Sequence, residues 1–293
     1  MHRTFALFAV LVVASGCLAL EAQSPLLPRG LAYLVGVQND DGGYAAAGTG
    51  PSDFSTSAWV ALAFGAADPT HESVPALRAY LANQSDAVRE NTTGSFSRAN
   101  AVSLYVLSSL AIDVPGRHEH LMRLRSYLDN TTLAINERLF LLGALGNAGA
   151  TESAAPLVKS IREKLLDPSD ADLTKDAWVR SHAILALLAN NESSNDPDLR
   201  AAARSLLPFQ KEDAGFRSSA EYEPDASTTA AAVAVLSQIR FVYSHEHETG
   251  LEFILSLQGP TGSVRFSEEF DFSPVKTTSE AILAATGDGP FRN

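Results

Sequence analysis

The chain has 293 residues, a formal net charge of −12, 45% hydrophobic residues and a single cysteine, Cys17. One cysteine excludes an internal disulfide, so the fold must be held by its core. The 22 basic residues form no block, which argues against a nucleic-acid partner.

Residues 1–24 read as an export signal: His2 and Arg3, an apolar run over 5–13, then the small residues Ala14-Ser15-Gly16 before Cys17. That run is too short to span a bilayer. Ala14-Ser15-Gly16-Cys17 resembles a lipoprotein box, in which Cys17 would be lipidated; ordinary cleavage near Ala19 or Ala22 is the alternative. The only membrane association expected is this anchor, and the location expected is extracellular or at the cell envelope. Residues 25–293 are expected to form one domain. Asn83, Asn91, Asn130 and Asn191 each begin an N-x-[ST] sequon, which would mark exposed loops in a glycosylating organism.

From residue 25 the pattern predicts six helical hairpins, each an outer helix, a turn and an inner helix. They cover 25–37 with 54–66, 73–83 with 97–111, 116–128 with 135–148, 153–166 with 173–188, 196–209 with 227–239, and 246–257 with 275–285. The outer helices carry charge and one apolar stripe. The inner ones, such as WVALAFGAA and AAAVAVLSQI, are apolar nearly all round, as helices buried on every side are. Proline near helix starts (Pro25, Pro75, Pro156, Pro197) and glycine between helices support these boundaries.

A repeat underlies the hairpins. QNDDGGY (38–44) and QKEDAGF (210–216) share a six-residue step from Gln to ring. Nine residues after each ring comes DFSTSA or DASTTA, beginning at Asp53 or Asp225. QGPTGSV (258–264), followed by Thr277-Thr278-Ser279, is a weaker third copy. Hairpins of this length stack as an open solenoid or close into a ring. Six pairs with buried second helices favour closure, an all-α (α/α)6 toroid; an open α-solenoid is the alternative.

RGLAYLVGVQNDDGGY (29–44) resembles the QW repeat of squalene and oxidosqualene cyclases through Arg29, Gly30, Tyr33, Leu34, Gln38 and Gly42, with Tyr44 in place of tryptophan. The resemblance covers most of 25–287. It implies the α/α toroid shared with protein prenyltransferase β subunits, complement-type thioester domains and cobalamin carriers. A fold of this kind is poor evidence of function. Gln38, Gly42, Tyr44, Gln210, Gly215, Phe216 and Gln258 are expected to staple adjacent repeats, since a Gln amide at a helix end can bond free carbonyls.

The chemistry that the resemblance implies is missing at each matching position. A cyclase acid needs a D-x-D-D-type string; here only Asp225 remains before Ala226-Ser227-Thr228, and Asp53 has the same deficit. Both are expected to be helix N-caps. A prenyltransferase zinc site needs an internal Cys, and a thioester needs Cys-Gly-Glu-Gln; neither is present. His118-Glu119-His120 and His245-Glu246-His247 are expected to be solvated loop residues, and no metal or cofactor is expected.

A ligand site is expected at the mouth of the toroid, from Asp53, Trp59, Arg98, Trp178, Arg180, His182, Glu221, Tyr222, Glu223 and Asp225. A second acidic turn, Glu268, Glu269 and Asp271, would join the rim. The function expected is a non-catalytic binding protein for a small molecule, glycan or peptide. A diverged toroid enzyme, either a prenyl-chain cyclase or transferase or a polysaccharide hydrolase or lyase, is the alternative. Opposed carboxylates across an open cavity would favour a glycosidase, and a filled centre would favour binding.

Overall fold

The computed structural model describes residues 25–91, 93, 97–130, 132–239 and 244–291. Cys17 and the rest of the expected export signal lie outside them. Among the described residues the chain is all-helical: α1 (Leu26–Gly36), α2 (Phe54–Ala67), α3 (Val74–Asn83), α4 (Ser85–Glu90), α5 (Arg98–Ile112), α6 (Arg117–Ser126), α7 (Ile135–Asn147), α8 (Thr151–Leu166), α9 (Ala171–Thr174), α10 (Ala177–Ala189), α11 (Pro197–Arg204), α12 (Ala226–Gln238), α13 (Ser244–Ser256) and α14 (Pro274–Ala285).

The inner helices α2, α5, α7, α10, α12 and α14 pack each on the next, and α14 packs back on α2, so the ring closes. The open solenoid is thereby excluded. Each outer helix lies against the inner helix before it, and α1 completes the circuit by packing on α14. Four of the six inner helices start where a side chain accepts one of the first free N–H groups. Asp53 accepts from Thr56, Ser97 from Asn100, Asp176 from Val179, and Asp225 from Thr228.

Three features differ from the sequence reading. The loop before α5 holds an extra short helix, α4. The fourth inner helix begins at Ala177, because Asp170 and Asp176 each cap a separate helix and so divide α9 from α10. The fifth outer helix ends at Arg204 and resumes only as a 3-10 turn over Leu207–Phe209, since Pro208 lacks the N–H that a continuous helix needs.

The three glutamines act alike. The amide of Gln38 donates to Gly42 O in its own turn and to Ser73 O at the start of α3. Gln210 donates to Ala214 O and Glu246 O, and Gln258 donates to Gly262 O and to Leu26 O in α1. The rings or branched chain that follow, Tyr44, Phe216 and Val264, are buried. Their backbone N–H groups donate to Ser57, Thr229 and Thr278 in the inner helices. Backbone bonds also cross the mouth: Ala177, Ala226 and Val275 donate to the carbonyls of Ser218, Phe266 and Ala46 in the following loops. Inner-helix N–H groups that a helix leaves free are thus used to join repeats.

Candidate functional site

The inner helices set the register of the lumen. Counting six residues past the cap gives Trp59, Ser103, Phe140, His182 and Ala231 in α2, α5, α7, α10 and α12. In α14 the Thr278 hydroxyl occupies the place of Ser57 and Thr229, which puts Glu280 in the same layer. The contacts agree. Trp59 and Phe140 meet edge to face at 6.0 Å, Phe140 stacks on His182 at 5.6 Å, and Trp178 lies against His182 at 3.9 Å. Lys276, one turn above Glu280, pairs with its Oε1 at 2.9 Å and stands 5.2 Å over the Trp59 ring.

Below this layer the lumen is filled by the chain itself. α14 ends in a Schellman arrangement: Asp288 N–H bonds Leu283 O and Gly287 N–H bonds Ala284 O, with Gly287 at φ +76°. That left-handed residue turns the following segment inward. Phe291, only 1% exposed, meets Phe140 at 5.3 Å and His182 at 6.0 Å, both edge to face. What remains open among Trp59, His182, Ser227, Ala231 and Glu280 is about 10 Å³, roughly the space of one water.

One opening of about 770 Å³, around Asn191, Glu192, Gln238 and Asp288, has no ring among its lining residues; another lies on the rim. The turns before α12 and α14 meet around a groove of about 620 Å³ lined by Asp213, Glu221, Tyr222, Glu223, Asp225, Phe253, Phe266, Glu268, Glu269 and Phe270. Tyr222 and Phe270 in the groove and Phe272 beside it are the most exposed rings among the described residues, at 63%, 58% and 65%. Arg217 and Arg265 bond the carbonyls of Ala220 and Glu268 and shape the two turns from within.

Of the expected mouth residues, the structure gathers Trp59, Trp178 and His182 in the lumen, and Glu221, Tyr222, Glu223 and Asp225 in the groove. Asp53 stands at the mouth as the cap of α2. One position must be corrected. Arg180 points away from the lumen, donating to Leu173 O at 2.5 Å and to the Ser205 hydroxyl. Arg98 is the exposed first residue of α5. The His118-Glu119-His120 string is helical rather than loop: His120 is buried, with Nε2 2.9 Å from the Ser85 hydroxyl and its ring 4.2 Å from that of Tyr105. His245 to His247 likewise open α13. Sequence reasoning missed Phe140, Lys276, Glu280 and Phe291. A charged pair four residues apart inside the apolar run of α14 was the one available signal.

Electrostatics distinguish the buried groups. Burial lowers the His182 imidazole to about 4, so at neutral pH it is an uncharged ring. Burial raises Asp225 to about 6, with nearby Glu280 adding to the rise, against the opposing Thr228 bonds. A carboxyl that binds its proton more tightly folded than unfolded adds stability at low pH, and loses it as pH rises from about 4 through about 6. Asp225→Asn keeps the acceptor for Thr228 N–H but carries no charge. The variant is therefore expected to gain on the wild type by up to about 3 kcal/mol between pH 4 and pH 7.5. Denaturant melts across that range check it, and a constant difference would contradict the buried-charge account.

No family model and no curated protein matches the sequence. Among solved structures the chain is similar to the type II terpene cyclase MstE from Scytonema, at a TM-score of 0.64 and 13% identity over 90% of this chain and 97% of that one. It is similar to a possible member of glycoside hydrolase family 105 from Salmonella enterica serovar Paratyphi A, with a TM-score of 0.61 and 12% identity over 91% and 94%. A family 88 glycosyl hydrolase from Bacteroides vulgatus matches at 0.63 and 10% over 89% and 97%. The chain thus has a terpene cyclase-like α/α toroid fold, shared with glycoside hydrolases.

Proposed function

We propose that this toroid is a non-catalytic binding protein whose rim groove takes a cationic partner, most simply a lysine- or arginine-containing peptide segment. One observation carries the reading: the lumen is filled to about 10 Å³, while a groove of about 620 Å³ at the rim brings carboxylates and exposed rings together. Ligand pockets usually offer roughly 300–1,000 Å³, so a lumen this full has no room for a long prenyl chain. Among the described residues, no basic side chain lines the groove. Its rings can hold an ammonium or guanidinium by cation–π attraction while the carboxylates pair with it.

Export and a lipid anchor at Cys17 would place the groove at the cell envelope. Mass analysis of the mature N-terminus tests this, since an unmodified chain beginning after Ala19 removes the anchor. For the groove, titration calorimetry with an oligolysine peptide, an acidic peptide and a neutral oligosaccharide is expected to show binding of the first alone. That binding is expected to weaken with salt and to fall about tenfold in Glu221→Gln/Glu268→Gln. Turnover of an oligosaccharide or prenyl substrate by the purified chain would replace this reading with the enzymatic one.

A further inference from the structure

The lumen contains one group that its own fold leaves unused. Glu280 is 5% exposed. Its Oε1 is taken by Lys276, whereas its Oε2 is buried with no hydrogen-bond partner on the wall of the small central cavity. A bare carboxylate oxygen in a desolvated site is costly unless something bonds it. The ammonium of Lys276 already serves the other oxygen. Asp225 lies close enough to Glu280 for each to feel the other's charge, and His182 is neutral. The wall of the central cavity also carries Asp288, while Lys276 pairs with Glu280 Oε1.

Beside this oxygen the walls carry rings on one side, Trp59 and the neutral His182, with Phe140 and Trp178 stacked behind them. On the other they are stripped to small side chains, with Ser227, Ala230, Ala231 and Ala234 on α12. The space so created is closed by Asp288, Gly289 and Pro290, and the next residue, Phe291, packs on Phe140 and His182. Its ring needs the absence of a side chain at Gly143, where a Cβ would stand 2.5 Å from Cγ and Cε1 of the ring. The segment carrying Phe291 also packs on Leu185 through Gly289 and on Ser237 through Gly287. Gly289 and Pro290 border a void of about 250 Å³ with Leu62, Leu107, Leu110 and Asn147. A side chain in the core of a domain is normally enclosed at crystal-like density.

We propose that residues 287–291 are a displaceable plug, and that Phe291 stands in for the ring of a small aryl- or alkylammonium ligand whose charge Glu280 Oε2 receives. The walls match that chemistry at each point: rings for the apolar body, a carboxylate oxygen for the ammonium, and Trp59 already carrying an ammonium on its face. Plug and ligand compete for one volume, so the intact chain binds the ligand with an affinity reduced by the fraction of time the plug is out. This site is separate from the rim groove, and neither reading depends on the other.

The experiment compares benzylammonium with its neutral counterpart benzyl alcohol, by titration calorimetry on the full chain, in wild type, Phe291→Ala and Phe291→Ala/Glu280→Gln. Phe291→Ala is expected to bind benzylammonium at least tenfold more tightly than wild type and at least tenfold more tightly than benzyl alcohol. Glu280→Gln in that background is expected to erase the second difference and keep an open cavity that accepts both probes. Equal affinity of wild type and Phe291→Ala, or no saturable binding of either probe, overturns the plug. Equal binding of the two probes by Phe291→Ala overturns the role of Glu280. Phe291→Leu, which leaves a smaller vacancy, is measured alongside. If both substitutions abolish folding, residues 287–291 are fixed core and the proposal fails.

Discussion

Replacing Gly262 by alanine is expected to lower stability by about 2–4 kcal/mol, a large share of what holds a domain together. Gly262 sits at the seam where the sixth repeat meets the first. It adopts φ +94°, and a Cβ there would collide with the carbonyl of Arg29 in α1, standing 2.8 Å from its carbon. The seam is also where Gln258 reaches Leu26 O and where Arg29 reaches Gly259 O at 2.7 Å. Pushing the turn away from α1 therefore strains the bonds that close the ring, with nearly the whole chain between the partners. The fifth repeat shows that the position can be adjusted at some loss. Ala214 takes the same place at φ +69°, and its glutamine spans 3.3 Å to the next helix where Gln38 and Gln258 span 3.1 Å. Gly149 provides the control: it has φ +70° with nothing within 4 Å of a Cβ, so Gly149→Ala should cost only the left-handed strain of about 1–2 kcal/mol. Urea melts of the two variants decide the matter. Equal losses would mean that the seam is not under close contact.

Phe291→Ala is expected to cost about 3–5 kcal/mol, the usual loss on removing a buried ring and leaving a cavity. Gly143→Ala should cost about 1–3 kcal/mol by overpacking against the same ring. Together they should lose less than the sum by about 1 kcal/mol or more, because the added methyl then enters space that the ring has left. The cycle tests the plug geometry through stability alone, without a ligand. Strict additivity would place Phe291 somewhere other than over Gly143. If Phe291→Ala instead loses less than about 1 kcal/mol, the segment contributes little to folding and leaves the lumen readily.

Much of the architecture could be read from residue order because its causes are local. The Gln-turn-glycine-ring element needs only a helix end, a left-handed residue and an amide long enough to reach the next helix start. All three lie within seven residues at Gln38 and Gln210. The caps at Asp53, Ser97, Asp176 and Asp225 each depend on an N–H three positions ahead. Even the break in the fifth outer helix was written in Pro208.

Which face of an inner helix looks inward was a different matter. An outer helix with one apolar stripe announces its buried side. A helix such as α2, which is buried from Phe54 to Gly65 apart from Ser55, has no such stripe and gives no rotational phase. One residue then changes direction by 100°, which is how Arg180 was assigned to a mouth that it faces away from, while His182, two residues on, lines the lumen. The layer of Trp59, Phe140, His182 and Glu280 joins four helices spread over more than two hundred residues. Sequence by itself determined that helices would pair, where they would start and how neighbours would be fastened, since those events are decided within a turn or two of chain. Only the tertiary structure decided that the two acidic turns share one groove and that Phe291 fills the centre, because both follow from the ring closing and from where its far ends meet.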